Sequence, residues 1–289
     1  MMLLMSRLLK NTILLSSLVS VTLSAKSDYV TEYLTNQLEN NPAVKEGSVK
    51  VVEKKPLKQI QGWEAYILDV DVTLKRGGKK VHQKNIVFSD GRYIASDFID
   101  TRTGRSLKDL VKPSFALSMY DDANRVAGDK DAKHRIVVFS DPLCPFCKRY
   151  MPQVIEDVKK DPKKYVLYHY SLPLTRLHPA SEFLVKAEIA ARLQGKKIDL
   201  HKLYTAIDPR NKDAKNFIAY NEKDPQKILK VFNAIFGTHL TPADLEKPAV
   251  LKRYKEEQAL AEKLLVSGTP TVYFDEKYDR SRKEYKKVK

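Results

Sequence analysis

The ten residues Phe139-Ser140-Asp141-Pro142-Leu143-Cys144-Pro145-Phe146-Cys147-Lys148 join a continuous apolar run to a helical pattern. Upstream, Ile136-Val137-Val138-Phe139 has no polar interruption, as expected of a strand buried on both faces. Downstream, Met151, Val154, Ile155 and Val158 recur on one helical face until Asp161-Pro162 ends it. This places Cys144 at a helix N-terminus, where unpaired backbone N–H groups and the helix dipole favour negative charge. Such a setting lowers a thiol pKa from about 8.5 to roughly 3.5–7.5. Cys144 is therefore the expected exposed nucleophile. Cys147, one turn further in, is the expected resolving thiol, able to attack a mixed disulfide. Pro145 suits a first helical turn, where its missing N–H is not needed. With Phe146 it forms the dipeptide that tunes the pair.

Beyond the helix, Tyr165 to Leu172 reads as a second strand and Thr271 to Phe274 as a third. The text between Pro179 and Val266 is mostly helical, broken at Gly195, Pro209, Pro225, Gly237 and Pro248. Strand, helix, strand, helices, strand is a βαβ pattern with a helical insert over about 177–266. Gly268-Thr269-Pro270-Thr271 precedes the third strand. Alone, a proline there is an ordinary turn. After an upstream strand–CxxC–helix it matches the thioredoxin-like arrangement, in which a cis-proline loop faces the cysteines and sets the backbone of Thr269 beside Cys144.

The first half reads differently. Asp28 to Leu38 has helical spacing, stopped by Asn40-Asn41-Pro42. Ser48–Glu53, Trp63–Leu74, Val81–Phe88 and Tyr93–Ile99 follow as strands, with Gly77-Gly78 and Asp90-Gly91 as turns. Residues 26–110 thus form an α+β domain, a helix plus an antiparallel sheet, and Trp63 belongs to its core. Residues 111–132, apolar after Pro113 and then rich in aspartate, read as a linker with a helical part, and 133–289 as the α/β thioredoxin-like domain.

The chain has 289 residues, two cysteines and a net charge of +16. Arg7 and Lys10 precede an apolar run, Ile13 to Leu23, too short for the roughly 20 residues that span a bilayer. With Ser24-Ala25 it reads as a secretory signal over 1–25, cleaved after Ala25. In an oxidising compartment, cysteines separated by two residues hold no distant segments together, so a structural staple is excluded. A zinc site lacks a second ligand pair, the nearest histidines being His134 and His169. No cofactor is expected beyond a redox-active Cys144–Cys147 disulfide. Lysines spread over the whole chain argue for a solvated surface and against a nucleic-acid partner. The Lys283–Lys289 tail reads as a solvated end, His178 as a capping or surface residue, and Asp141 as part of an exposed loop.

The segment Phe139 to Lys148 closely resembles the active-site segment of the bacterial periplasmic disulfide isomerases of the DsbC/DsbG family. Thr269 before the proline also resembles that family, whereas the oxidase DsbA usually carries valine there. Gly91-Arg92-Tyr93-Ile94 through Asp100-Thr101-Arg102-Thr103-Gly104 resembles the end of the family's N-terminal dimerisation domain. The sharp motifs occupy some 25 residues. The resemblance implies a cystatin-like dimerisation domain, a V-shaped homodimer, a periplasmic location, unfolded or misoxidised exported proteins as substrates, and a membrane thiol reductant of the DsbD type. The long helical insert is closer to DsbA-like proteins, and Val138 stands where those enzymes carry a buried glutamate.

Three functions follow as expectations: a disulfide isomerase or reductase, a net dithiol oxidase served by a DsbB-type oxidant, and a holdase chaperone. Scrambled ribonuclease, reduced ribonuclease and aggregation assays with both cysteines replaced separate them.

Overall fold

The computed structural model describes residues 28–288; the export segment expected over 1–25 lies outside the described residues. Asp28 caps the first helix, α1 (Tyr29–Glu39), its carboxylate accepting from Val30 N at 3.1 Å. Four antiparallel strands follow in the order β1 (Val44–Pro56), β2 (Glu64–Leu74), β3 (Lys80–Ser89) and β4 (Ile94–Ala95). Successive side chains of β2 point to opposite faces. Tyr66, Leu68 and Val70 pack with Val30, Val49 and Val87 on the α1 side. Ala65 and Ile67 pack with Ile86, Phe88, Leu107 and Val111 on the other. Trp63 stands edge-on to Phe98 at this second face.

The single strand expected over Tyr93–Ile99 is broken. Ile94–Ala95 pairs with β3, whereas β5 (Ile99–Asp100) pairs with β6 (Arg105–Ser106) in a separate ribbon. The Asp97 carboxylate turns the chain between them, accepting from Phe98 N and Ser106 Oγ. A short helix, α2 (Lys108–Val111), follows.

The linker expected over 111–132 is largely structured. Phe115 is fully buried, its ring within 6.4 Å of those of Phe139, Tyr170 and Tyr273. A three-residue strand, β7 (Arg125–Ala127), pairs antiparallel with a strand of the second sheet. An edge strand this short carries no periodicity to read, and its neighbouring aspartates cap local turns instead of marking free chain: Asp121 accepts from Ala123 N and pairs with Arg253. Gly128, at φ +85°, ends the strand; a Cβ there would lie 2.0 Å from the Tyr165 carbonyl oxygen.

The second sheet runs through β8 (His134–Ser140), followed by α3 (Pro145–Lys160) and β9 (Tyr165–Ser171), a parallel pair with a crossover helix. Helices α4 (Ala180–Leu193), α5 (Leu200–Ala206), α6 (Pro225–Phe236), α7 (Pro242–Leu245) and α8 (Pro248–Lys263) come next, then β10 (Thr271–Phe274) and β11 (Lys277–Tyr278). The strand order is β11-β10-β8-β9-β7. β8 is buried over Ile136–Ser140, as its unbroken apolar text requires. α3 turns Cys147, Met151, Val154, Ile155 and Val158 into the core; each large apolar side chain so buried stabilises by about 1.5–3 kcal/mol. Pro152 lies inside α3 without ending it.

The basic tail is not wholly solvated. Tyr285 is buried, donates to Asp157 Oδ2 at 2.9 Å and packs edge-on to Tyr165, whose hydroxyl donates to the Tyr285 carbonyl. An aromatic in a lysine-rich stretch supplies the anchor that charge counting overlooks. Leu265 packs against the apolar cluster of the first sheet, and His82 on β3 meets Glu262 on α8 at 2.5 Å. No helix among the described residues is long and apolar enough to cross a membrane.

Candidate active site

β8 ends at Ser140, and the three residues that follow carry the chain to Cys144, which caps α3 in an extended conformation with Pro145 at the first helical position. Both cysteines are free thiols. Cys147 is fully buried, and Cys144, expected to be exposed, is itself buried, only 3% exposed, because the Thr269 backbone packs beside it; Phe146 between the two projects into solvent. The register of β10 on β8 sets Thr271 opposite Phe139, so the residues just before β10 lie beyond the end of β8, beside the cysteines. The Thr269–Pro270 peptide bond is cis, and Cys144 Sγ lies 3.5 Å from the Thr269 carbonyl oxygen. Cys144, Pro145, Phe146, Cys147, Thr269 and Pro270 are thus brought to one place.

The two thiols differ sharply in acidity. Cys144 is lowered to about 5. The largest cause is the hydrogen bond from the Cys147 thiol; the Thr269 side chain and the backbone N–H groups of Cys147 and Phe146 add to it, against the opposing effect of burial. Cys147 is pushed well up, first by burial and then by the hydrogen bond and charge of Cys144. Thr269 Oγ1 is buried and makes no hydrogen bond of ordinary geometry, although it is near enough to lower both thiols.

Asp141 corrects the sequence reading. It is fully buried, not in an exposed loop. Oδ1 accepts from Leu143 N (2.8 Å), Cys144 N (3.2 Å) and Ser181 Oγ (2.5 Å). Oδ2 accepts from Leu174 N (2.8 Å) and pairs with His178 Nδ1 (3.0 Å). Flanking Ser140 and Pro142 read as loop, and nothing local reveals that the donors arrive from 33 to 40 residues downstream. His178 is correspondingly on the active-site side, its value raised chiefly by its hydrogen bond to Asp141 and further by the charges of Asp141 and Cys144.

Nothing in the sequence distinguishes Lys148 from the other lysines of a basic chain. Its Nζ donates to the carbonyls of Tyr204 (2.7 Å) and Ile207 (2.6 Å), tying the first turn of α3 to the end of α5. Burial lowers it to about 8. The histidines nearest in sequence are engaged elsewhere: His169 bonds Ser140 Oγ at 2.8 Å and is held neutral by burial at about 3, and His134 Nδ1 meets Asp275 at 2.8 Å.

A stretch of 153 residues, 53% of this chain, is 31% identical to a protein named Na(+)/H(+) antiporter NhaA 3 of Salinispora tropica. It is 32% identical to Na(+)/H(+) antiporter NhaA 1 of Salinispora arenicola. The alignment spans 22% of the length of each of these relatives. Among solved structures, a thioredoxin-like oxidoreductase from Silicibacter pomeroyi is 27% identical with TM-score 0.42, over 55% of this chain and 83% of that one. Oxidised BdbD from Bacillus subtilis is 17% identical with TM-score 0.43, over 61% and 92%. The catalytic domain of Proteus mirabilis ScsC is 22% identical with TM-score 0.43, over 58% and 86%. Residues 121–289, more than half of the chain and all of the second sheet with its helices, match the family described as Thioredoxin, and to that family the chain belongs.

Proposed function

We propose that the chain is an exported thiol–disulfide oxidoreductase acting on protein disulfides through Cys144 and Cys147, chiefly as an isomerase or reductase. One observation carries this reading: an acidic thiol at a helix N-terminus lies over a buried, weakly acidic one and 3.5 Å from the Thr269 carbonyl. The thiolate of Cys144 attacks a substrate disulfide sulfur. The new bond joins Cys144 to that sulfur, and the other substrate sulfur leaves as a thiolate. In isomerisation that thiolate attacks another substrate disulfide, and the thiolate this displaces attacks the substrate sulfur bonded to Cys144, closing a new substrate disulfide and releasing the Cys144 thiolate unchanged. In reduction Cys147 gives up its proton, attacks Cys144 Sγ and expels the second substrate thiolate; the enzyme is oxidised by two electrons and the substrate reduced. The Thr269 backbone edge beside Cys144 suits an extended substrate segment.

The acidity of Cys144 favours a second reading, net oxidation. Stabilising the thiolate favours the dithiol over the disulfide and makes the couple more oxidising than one whose nucleophile titrates near 7. Recovery of activity from scrambled ribonuclease supports the isomerase; oxidation of reduced ribonuclease without recovery from the scrambled form supports the oxidase. Inactivity in both assays would overturn the proposal.

The same proposal includes a periplasmic homodimer joined through residues 26–110, kept reduced by a membrane thiol reductant of the DsbD type, or reoxidised by one of the DsbB type if the oxidase reading holds. Exposed Tyr29, Tyr33 and Tyr93 around a groove between α1 and the β3–β4 turn support a contact there. Light scattering of the full chain tests it.

A further inference from the structure

A fully buried carboxylate requires a compensating charge or complete hydrogen bonding, and usually both. Asp141 has five donors, of which four are neutral or ionise only with difficulty: three backbone N–H groups and the Ser181 hydroxyl. The fifth is His178, the one cationic side chain in ion-pair contact with Asp141 among the described residues. Its ring is fixed by more than this bond. The Tyr220 ring packs 5.0 Å away at 31°, and His178 N bonds the Leu174 carbonyl, whose own N–H is held by the same carboxylate. The carboxylate that holds the imidazole also holds Cys144 N at 3.2 Å, so ring and thiol share one support.

We propose that Asp141 and His178 act together as a positioning pair for Cys144, the buried carboxylate holding the imidazole as a fixed cation beside the helix terminus that carries the thiolate. The inference rests on the thiol-exchange reading of the site. The groups facing His178 are Asp141 from the β8–α3 loop, Cys144 at the start of α3, the neutral Ser181 of α4, and Tyr220 from the segment before α6. The charges that act on its ring, from Asp141 and the Cys144 thiolate, are both negative and both favour the protonated form. Interaction between two titrating groups is reciprocal. The thiolate therefore holds a proton on His178, and His178 holds the thiolate. Closing the Cys144–Cys147 disulfide removes the thiolate and must weaken the proton on His178.

Two measurements on the full chain test this without any substrate. Thiolate absorbance of the reduced protein is titrated for the parent and for His178→Gln, whose amide can still donate to Asp141. The variant is expected to hold about threefold less thiolate at pH 5. A variant within experimental error of the parent would overturn the pairing with the thiol, since a purely structural histidine changes melting but not this titration. The imidazole of His178 in the unmutated protein is also followed by NMR against pH in both redox states. A higher midpoint in the dithiol form is expected, and equal midpoints would refute the proposal even if the variant failed to fold. Ribonuclease assays on the parent report on the oxidoreductase reading separately, so either idea can fail alone.

Discussion

The acidity of Cys144 should make the stability of the reduced protein depend on pH in a calculable way. The thiol titrates at about 5 in the folded chain and near 8.5 when unfolded. Because the folded value is depressed, the stabilisation is complete above about 8.5 and lost as pH falls through about 5. At pH 7 the folded thiol is ionised across two decades while the unfolded thiol remains protonated. At about 1.36 kcal/mol per decade this contributes about 2.7 kcal/mol, and at pH 4.5 about 0.2 kcal/mol. The site is 3% exposed, so solvent screening takes little from this figure. The assay is urea unfolding of the parent and of Cys144→Ala, both reduced, at pH 7 and pH 4.5. Groups that do not interact with Cys144 cancel in the difference. The parent should gain about 2.5 kcal/mol relative to the variant between the two pH values. A difference flat to within about 0.5 kcal/mol would mean that Cys144 is not a stabilised thiolate, and the account of the site given above would fall.

Four further outcomes are expected. Cys144→Ser should abolish exchange, while Cys147→Ser should accumulate mixed disulfides visible on non-reducing gels; trapping through Cys147 in the Cys144→Ser protein would reverse the two roles. Thr269→Val removes a buried hydroxyl with no hydrogen-bond partner, so it should cost little stability while raising the Cys144 pKa and making the couple more reducing, read against glutathione. Deleting residues 26–110 should give a monomer that reduces small disulfides but isomerises proteins poorly, and a truncated chain still dimeric in light scattering would contradict it. Gly128→Ala should lose at least about 2 kcal/mol in urea unfolding, because the left-handed backbone costs about 1–2 kcal/mol and the added carbon meets the Tyr165 carbonyl.

What the sequence made legible was local. The run before Cys144, the helical face from Cys147 to Val158 and the proline before the last long strand each carry their period or punctuation within a few residues. The alternation of β2 was legible for the same reason, although its burial on both faces blurs it. What stayed hidden depends on contacts from afar. Phe115 looked like linker because its ring partners Phe139, Tyr170 and Tyr273 stand 24 to 158 residues away. Asp141 looked exposed because aspartate beside proline is ordinary loop text, and three of its five donors, from Leu174, His178 and Ser181, return from 33 to 40 residues downstream. Lys148 looked like one more surface lysine in a basic chain until α5 presented two carbonyls to it.

These hidden residues share a purpose that the cysteines alone do not disclose. A CxxC pair at a helix start has the dipole and the free N–H groups, but nothing in it fixes the helix start relative to the strand edge it must face. Asp141 joins the Cys144 backbone to the segment after β9 and to α4, Lys148 joins the same helical turn to α5, and the β10 register brings Thr269 alongside. The attacking thiol is therefore tied to the segment after β9, to α4, to α5 and to the edge before β10, whereas the resolving thiol is fully buried and bonded to Cys144. Perturbing Asp141 or Lys148 should consequently disturb attack by Cys144 before it disturbs the fold of the sheet. Substitution of Val138, deep in β8 and bonded only to strand neighbours, should do the reverse.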